Sequence, residues 1–125
     1  MVEGYLRDWY LGVQASIWFG YNNGGWRYSG MLDDSNLPKP AYEVYDHLTS
    51  YLQGAQVLNQ INTYPNFQGY RFVKGGIQIW AIWSEDGSPH PFSLPAGTIR
   101  VLDKYGSVIS FSGTVSRPVF IEVTP

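Results

Sequence analysis

The chain has 125 residues, of which 44% are hydrophobic, 17% aromatic and only 14% charged, with a formal net charge of −2. Ordinary soluble domains are about 25% charged; this composition excludes disorder, which needs low hydrophobicity and high net charge, and it has no basic excess to neutralise nucleic-acid phosphates. No apolar run nears the roughly 18 residues of a membrane span, no signal peptide is visible at the start, and the absence of cysteine removes disulfides and thiolate chemistry while leaving the compartment open.

From Met1 to about Leu52 the grammar is helical with one interruption. Leu6, Trp9, Tyr10 and Val13 recur at spacings of three and four, which predicts a helix over Glu3–Gln14 with those residues on one face. Ala15-Ser16-Ile17-Trp18-Phe19 is a short apolar run ending at glycine and reads as a buried strand, although periodicity alone also allows a helical tail. Gly20 to Pro38 is rich in glycine, asparagine and aspartate and reads as a long loop, which is more often functional than idle. Pro38 and Pro40 announce a second helix, since proline is tolerated in the first turn. Ala41, Val44, Tyr45, Leu48, Tyr51 and Leu52 form its apolar stripe, and Gly54 stands where a left-handed C-terminal cap wants glycine.

After Gly54 the period changes to two. Val57–Ile61, Tyr70–Lys74, Ile77–Trp83, Phe92–Leu94, Ile99–Leu102, Val108–Phe111 and Val119–Val123 are short runs separated by turn residues. Seven strands at this spacing predict an antiparallel β-sandwich or barrel. Gly75-Gly76 suits a tight hairpin, Asp103 to Gly106 a type I turn closed by a left-handed glycine, and Pro118 precedes the last strand, where a missing amide hydrogen is tolerated. The class is therefore α+β: two helices and one strand, then a sandwich of about seven strands. A lone strand makes no sheet and two amphipathic helices need something to cover, so the first half reads as part of something larger.

Particular residues point further. Tyr5-Leu6-Arg7-Asp8-Trp9-Tyr10-Leu11, then Ile17-Trp18-Phe19-Gly20-Tyr21, then Gly30-Met31-Leu32-Asp33 and Pro38-Lys39-Pro40-Ala41-Tyr42 together resemble the final helix–strand–loop–helix of clan A glycoside hydrolases, which have a (β/α)₈ barrel. The tail after Gly54 resembles the β-sandwich that many such enzymes carry after the barrel. The resemblance implies two units: residues 1–53 as helix 7, strand 8 and helix 8 of a barrel, and 54–125 as an accessory sandwich. It also implies what is missing, because a whole barrel needs about 250 residues and the family's two catalytic carboxylates lie at the ends of strands 4 and 7. No catalytic residue is assigned here, and the chain alone is expected to be inactive although its parent is a glycosidase. No metal or other cofactor is implied.

What carries over is Trp18, at the place of the family's aromatic platform under the bound sugar, where an indole face stacks on the apolar side of a pyranose. Tyr21 falls where the family often has a second aromatic; Asn22-Asn23 replaces the usual charged residue after it, which puts further polar contacts in doubt. Trp18 can equally be a core aromatic at the end of a buried strand.

Other chemistry has plainer explanations. Asp33, Asp34 and Asn36 offer too few oxygens for calcium and suit a turn. Glu85 and Asp86 sit at a hairpin tip, where a general acid would lack the burial that raises its pKa. His47 lies off the apolar stripe and reads as a surface histidine, and His90 is placed in an extended segment without a paired acid. There is no nucleophile-elbow triad and no phosphate loop. Trp80 and Trp83, three apart in a strand, point to opposite faces: one into the sandwich, the other outward, either to grip sugar or, as preferred here, to pack on the barrel. Without a barrel the helix stripes lack cover, which predicts self-association through the helix faces or the strand over 15–19. Carbohydrate is thus the partner expected in the intact enzyme, with no nucleic acid and no membrane. The alternatives to a glycosidase portion are a stand-alone carbohydrate-binding module and a purely structural or interaction domain.

Overall fold

The computed structural model describes residues 1–17, 20–22 and 29–125. Helix α1 spans Val2–Tyr10, ending four residues before the expected Gln14. The reason is Gly12. Its φ of 77° lets the chain reverse so that the Gly12 N–H donates to the Trp9 carbonyl (3.0 Å) and the Val13 N–H to the Asp8 carbonyl (2.9 Å), the paired bonds of a Schellman cap. Val13 continues the apolar period, but as the residue after the cap. The strand expected over 15–19 is not formed by its described part: Ala15, Ser16 and Ile17 belong to no ladder. A strand needs a neighbour, and every strand of the sheets is drawn from residues 56–123. Phe19, like Trp18, lies outside the described residues.

Helix α2 spans Pro40–Leu52 with proline in its first turn, and Gly54 follows it with φ 75°, as the sequence predicts. Seven strands follow: β1 Gln56–Ile61, β2 Phe67–Lys74, β3 Ile77–Ser84, β4 His90–Pro91, β5 Thr98–Leu102, β6 Thr114–Val115 and β7 Val119–Val123. Five form an antiparallel sheet in the order β1-β2-β3-β7-β5, and β4 pairs with β6 in a second small sheet. The two-residue Gly75-Gly76 turn closes β2 on β3 with both φ angles positive (58° and 79°), the requirement of the tight turn that matches strand twist. Val108–Phe111 is not a strand. It contributes one isolated bridge, Val108 to Leu102, while the pairing partner of β4 lies further on, at Thr114–Val115.

The five-stranded sheet is covered on both faces, so β3 is buried almost throughout instead of alternating. On one face Val2 and Leu6 of α1 and Val44, Leu48 and Leu52 of α2 pack on Tyr70, Phe72, Ile79, Ala81, Trp83 and Phe120. On the other, Ile61, Phe67, Trp80, Ile82 and Ile121 meet Phe92, Val115 and the loop residues Ile109 and Phe111. The helix-side cluster runs without a break across Gln53–Gly54. Trp80 and Trp83 point to opposite faces, as their spacing predicts, and the one outside the sandwich packs on the helices, the reading preferred to an outward sugar grip: Trp83 is 1% exposed on the helix side and Trp80 7% exposed on the other.

Candidate functional site

Of the two residues singled out in the sequence as sugar contacts, Tyr21 falls where α1, α2 and the chain after α1 meet. Asp8 near the end of α1 accepts a 2.6 Å hydrogen bond from Ser16 Oγ, which holds the returning segment beside the helix. Ile17 is left 92% exposed. Tyr5 and Tyr45 bring the two helices together with ring centroids 5.5 Å apart. Between them lies a cleft of 340 Å³ lined by Tyr5, Ile17, Tyr21, Met31, Tyr42 and Tyr45. Tyr21 stands on its rim, 66% exposed; Trp18 lies outside the described residues. Two more cavities, of 530 and 280 Å³, adjoin Tyr5 and Ser16 on their other sides.

Sequence reasoning named only Tyr21 of this set. The signal for the rest was present, since Tyr42 and Tyr45 are three apart in α2 and Tyr5 lies one residue before the buried Leu6. The cleft can stack apolar ring faces and offer phenolic hydroxyls, but among the described residues none that lines it is a carboxylate.

Three carboxylates elsewhere are tied into structure. Asp33 Oδ1 accepts from the Ser35 and Leu37 N–H groups, closing a turn. Asp86 accepts from Ser84 Oγ, the Ser88 N–H and His90 Nε2 at 2.6, 2.8 and 3.0 Å, and these bonds, Ser84 first, hold its pKa down at about 2. His90 therefore does have an acid partner, four residues back, which the extended Pro-His-Pro reading overlooked. Glu122 is buried against α2: Arg100 Nε and Nη2 donate to its two oxygens at 2.7 and 2.8 Å, and Tyr51 Oη donates at 2.8 Å. The arginine bonds dominate and hold Glu122 below the ordinary carboxylate range although burial opposes them. Burial, and then the bond to Glu122, pushes the Tyr51 phenol up.

His47 also departs from its surface reading. Its ring stacks on Tyr51 (5.0 Å) and meets Phe120 edge-on (5.7 Å), and Nε2 is buried without a hydrogen-bond partner. Burial pushes its pKa below 6.5, against the pull of Asp103 and Asp46. The β5–β6 loop comes so close that a Cβ at Gly106 would lie 2.5 Å from the ring. Off-stripe spacing placed His47 correctly on the helix; the loop that covers it was not visible in the helix's own pattern.

No family model and no curated protein matches the sequence. The fold does match: a family 39 glycoside hydrolase from the gut symbiont Bacteroides cellulosilyticus WH2 superposes with a TM-score of 0.71 at 17% identity. The match covers 98% of this chain and 29% of that one. Both helices and the sheet fall inside it, so over nearly all its length the chain has the fold of a portion of a glycoside hydrolase.

Proposed function

We propose that the chain is the C-terminal part of a clan A glycoside hydrolase, with residues 1–53 closing a (β/α)₈ barrel and 54–125 forming the sandwich behind it. The observation that carries this reading is the match of helices and sheet together, in one arrangement, to 29% of a glycosidase. The quoted motifs from Tyr5 to Tyr42 support its orientation. In the intact enzyme Trp18 and Tyr21 contribute an aromatic floor to the sugar site, and carbohydrate is the partner.

The chain by itself does no hydrolysis. A glycosidic acid needs a raised pKa and a second carboxyl across the bond, whereas the two carboxyls with displaced pKa values, Asp86 and Glu122, are both displaced downward. Its role is completion of the barrel and support of the site.

The coding sequence ahead of Met1 tests this reading. A continuous frame of about 250 residues with two glutamates at strand ends, whose product cleaves nitrophenyl glycosides while residues 1–125 do not, is the expected result. Hydrolysis by residues 1–125 alone, or an unrelated upstream frame, contradicts it. The apolar side chains left open at Trp9, Tyr10, Leu11, Val13 and Ile17 further lead residues 1–125 to self-associate at micromolar concentration. Sedimentation of a clean monomer counts against that.

A further inference from the structure

Counting outward from Gly75-Gly76, Arg71 of β2 stands opposite Trp80 of β3, on the sheet face away from the helices. Its guanidinium carbon lies 4.0 Å over the indole centroid, the flat stacking that arginine favours. Nε is buried and finds no hydrogen-bond partner. Arg71 joins neither of the ion pairs found among the described residues. Among the described residues no hydrogen bond or ion pair is found for its Nη groups either, and the residue as a whole is only half-buried.

The other well-placed strand arginine shows the contrast. Arg100 of β5 is met by Glu122, which takes both its Nε and Nη2 hydrogens. Arg71 is held by its indole and, among the described residues, has no acid partner. The groups beside it are donors and amides: Asn59 of β1 is its cross-strand partner and is exposed, and Gln78 uses Oε1 to accept from Trp80 Nε1 at 3.2 Å, which leaves its NH₂ free to donate. A guanidinium with one N–H already desolvated and its rotamer fixed by an indole loses little further freedom on meeting an anion. A planar fork of donors matches a carboxylate.

We propose that Arg71, on its Trp80 platform and with Asn59 and Gln78 beside it, is a secondary binding site for a uronate unit of an acidic glycan. Arg71 takes the carboxylate, and the two amides take ring hydroxyls. The choice of a sugar as the carrier of the carboxylate rests on the glycosidase reading; the oxyanion-accepting edge does not.

The test follows the Arg71 Nε–H and Trp80 Nε1–H signals of residues 1–125 by ¹H–¹⁵N NMR while glucuronate, glucose or acetate is added at constant ionic strength. The expected result is a saturable shift with glucuronate at about millimolar concentration, with acetate and glucose at least roughly tenfold weaker. Arg71→Lys keeps the charge without the fork and weakens glucuronate binding about tenfold or more, read at the Trp80 signal. Asn59→Ala, at an exposed strand position, gives a second reading should the lysine variant fold poorly, and weakens binding as well. No saturable shift, acetate equal to glucuronate, or an Asn59→Ala variant that binds as tightly as the parent overturns the proposal. None of these outcomes bears on the upstream frame, so the two readings fail separately.

Discussion

Helix α2 and the end of helix α1 meet the same sheet and are treated very differently by it. Along α2, Val44, Leu48 and Leu52 are buried, Lys74 Nζ donates to the Tyr51 carbonyl at 2.6 Å and Tyr51 Oη to Glu122 at 2.8 Å. Along α1, Val2 and Leu6 are buried, but Trp9 and Tyr10, with Val13 just after the helix, remain open, and cavities of 530, 340 and 280 Å³ surround Tyr5 and Ser16. Cavities of 410 and 250 Å³ also border α2, beside Val44 and Tyr51, so the two regions differ in the apolar side chains they leave open and not in the presence of cavities. One region is a finished core. The other leaves large apolar side chains open to solvent.

The largest expected effect lies in the finished region. Trp83→Ala empties the layer between helices and sheet and destabilises by about 3–5 kcal/mol in denaturant unfolding; a change under 1 kcal/mol would mean that the helices do not depend on the sheet. Tyr51→Phe removes the hydroxyl that links α2 to Glu122 and costs about 1 kcal/mol, with little change in the unfolding slope.

Acid sharpens the same contrast. The lowered folded pKa of Glu122 gives stability that is complete above its ordinary value of 4.5 and is lost as pH falls through the folded value. His47, also lowered, is neutral in the fold and charged more readily when unfolded, so stability starts to fall as pH drops below 6.5. Thermal melts of His47→Gln are therefore flatter with pH between about 6.5 and 5, and those of Glu122→Gln flatter below 4.5. Identical slopes for parent and variants would contradict these assignments. The smallest effect is at the open end: Ile17→Ser changes stability by less than about 0.5 kcal/mol while reducing self-association in sedimentation.

Much of this was legible in the amino-acid order, for local reasons. Pro40 and Gly54 bracket α2 because each acts through its own backbone, and Gly75-Gly76 fixes the β2–β3 hairpin in the same way. What failed depended on partners distant in sequence. The apolar period carried α1 past Gly12, whose cap is a backbone event that periodicity does not weigh. Val108 to Phe111 has strand-like residues, yet β4 pairs instead with Thr114–Val115, a two-residue segment with no pattern to read. Alternation put Trp80 and Trp83 on opposite faces, but not which residues cover Trp80, since Phe92, Phe111 and Val115 come from segments distant in sequence. Arg71 opposite Trp80 was available from the hairpin register alone. Tyr21 was placed by resemblance, and its neighbours Tyr5 and Tyr42 come to it only once the helices are docked.

The account turns on residues 9–17 being a face that the rest of a barrel covers. Amide hydrogen exchange over Leu11–Ile17 tests this most directly, measured in residues 1–125 and again in the longer polypeptide encoded by the upstream frame. The account predicts fast exchange in the short chain and protection by at least about a hundredfold in the long one, as expected when an open segment joins a cooperative core. Equal exchange in both would show that nothing packs there, and would contradict it.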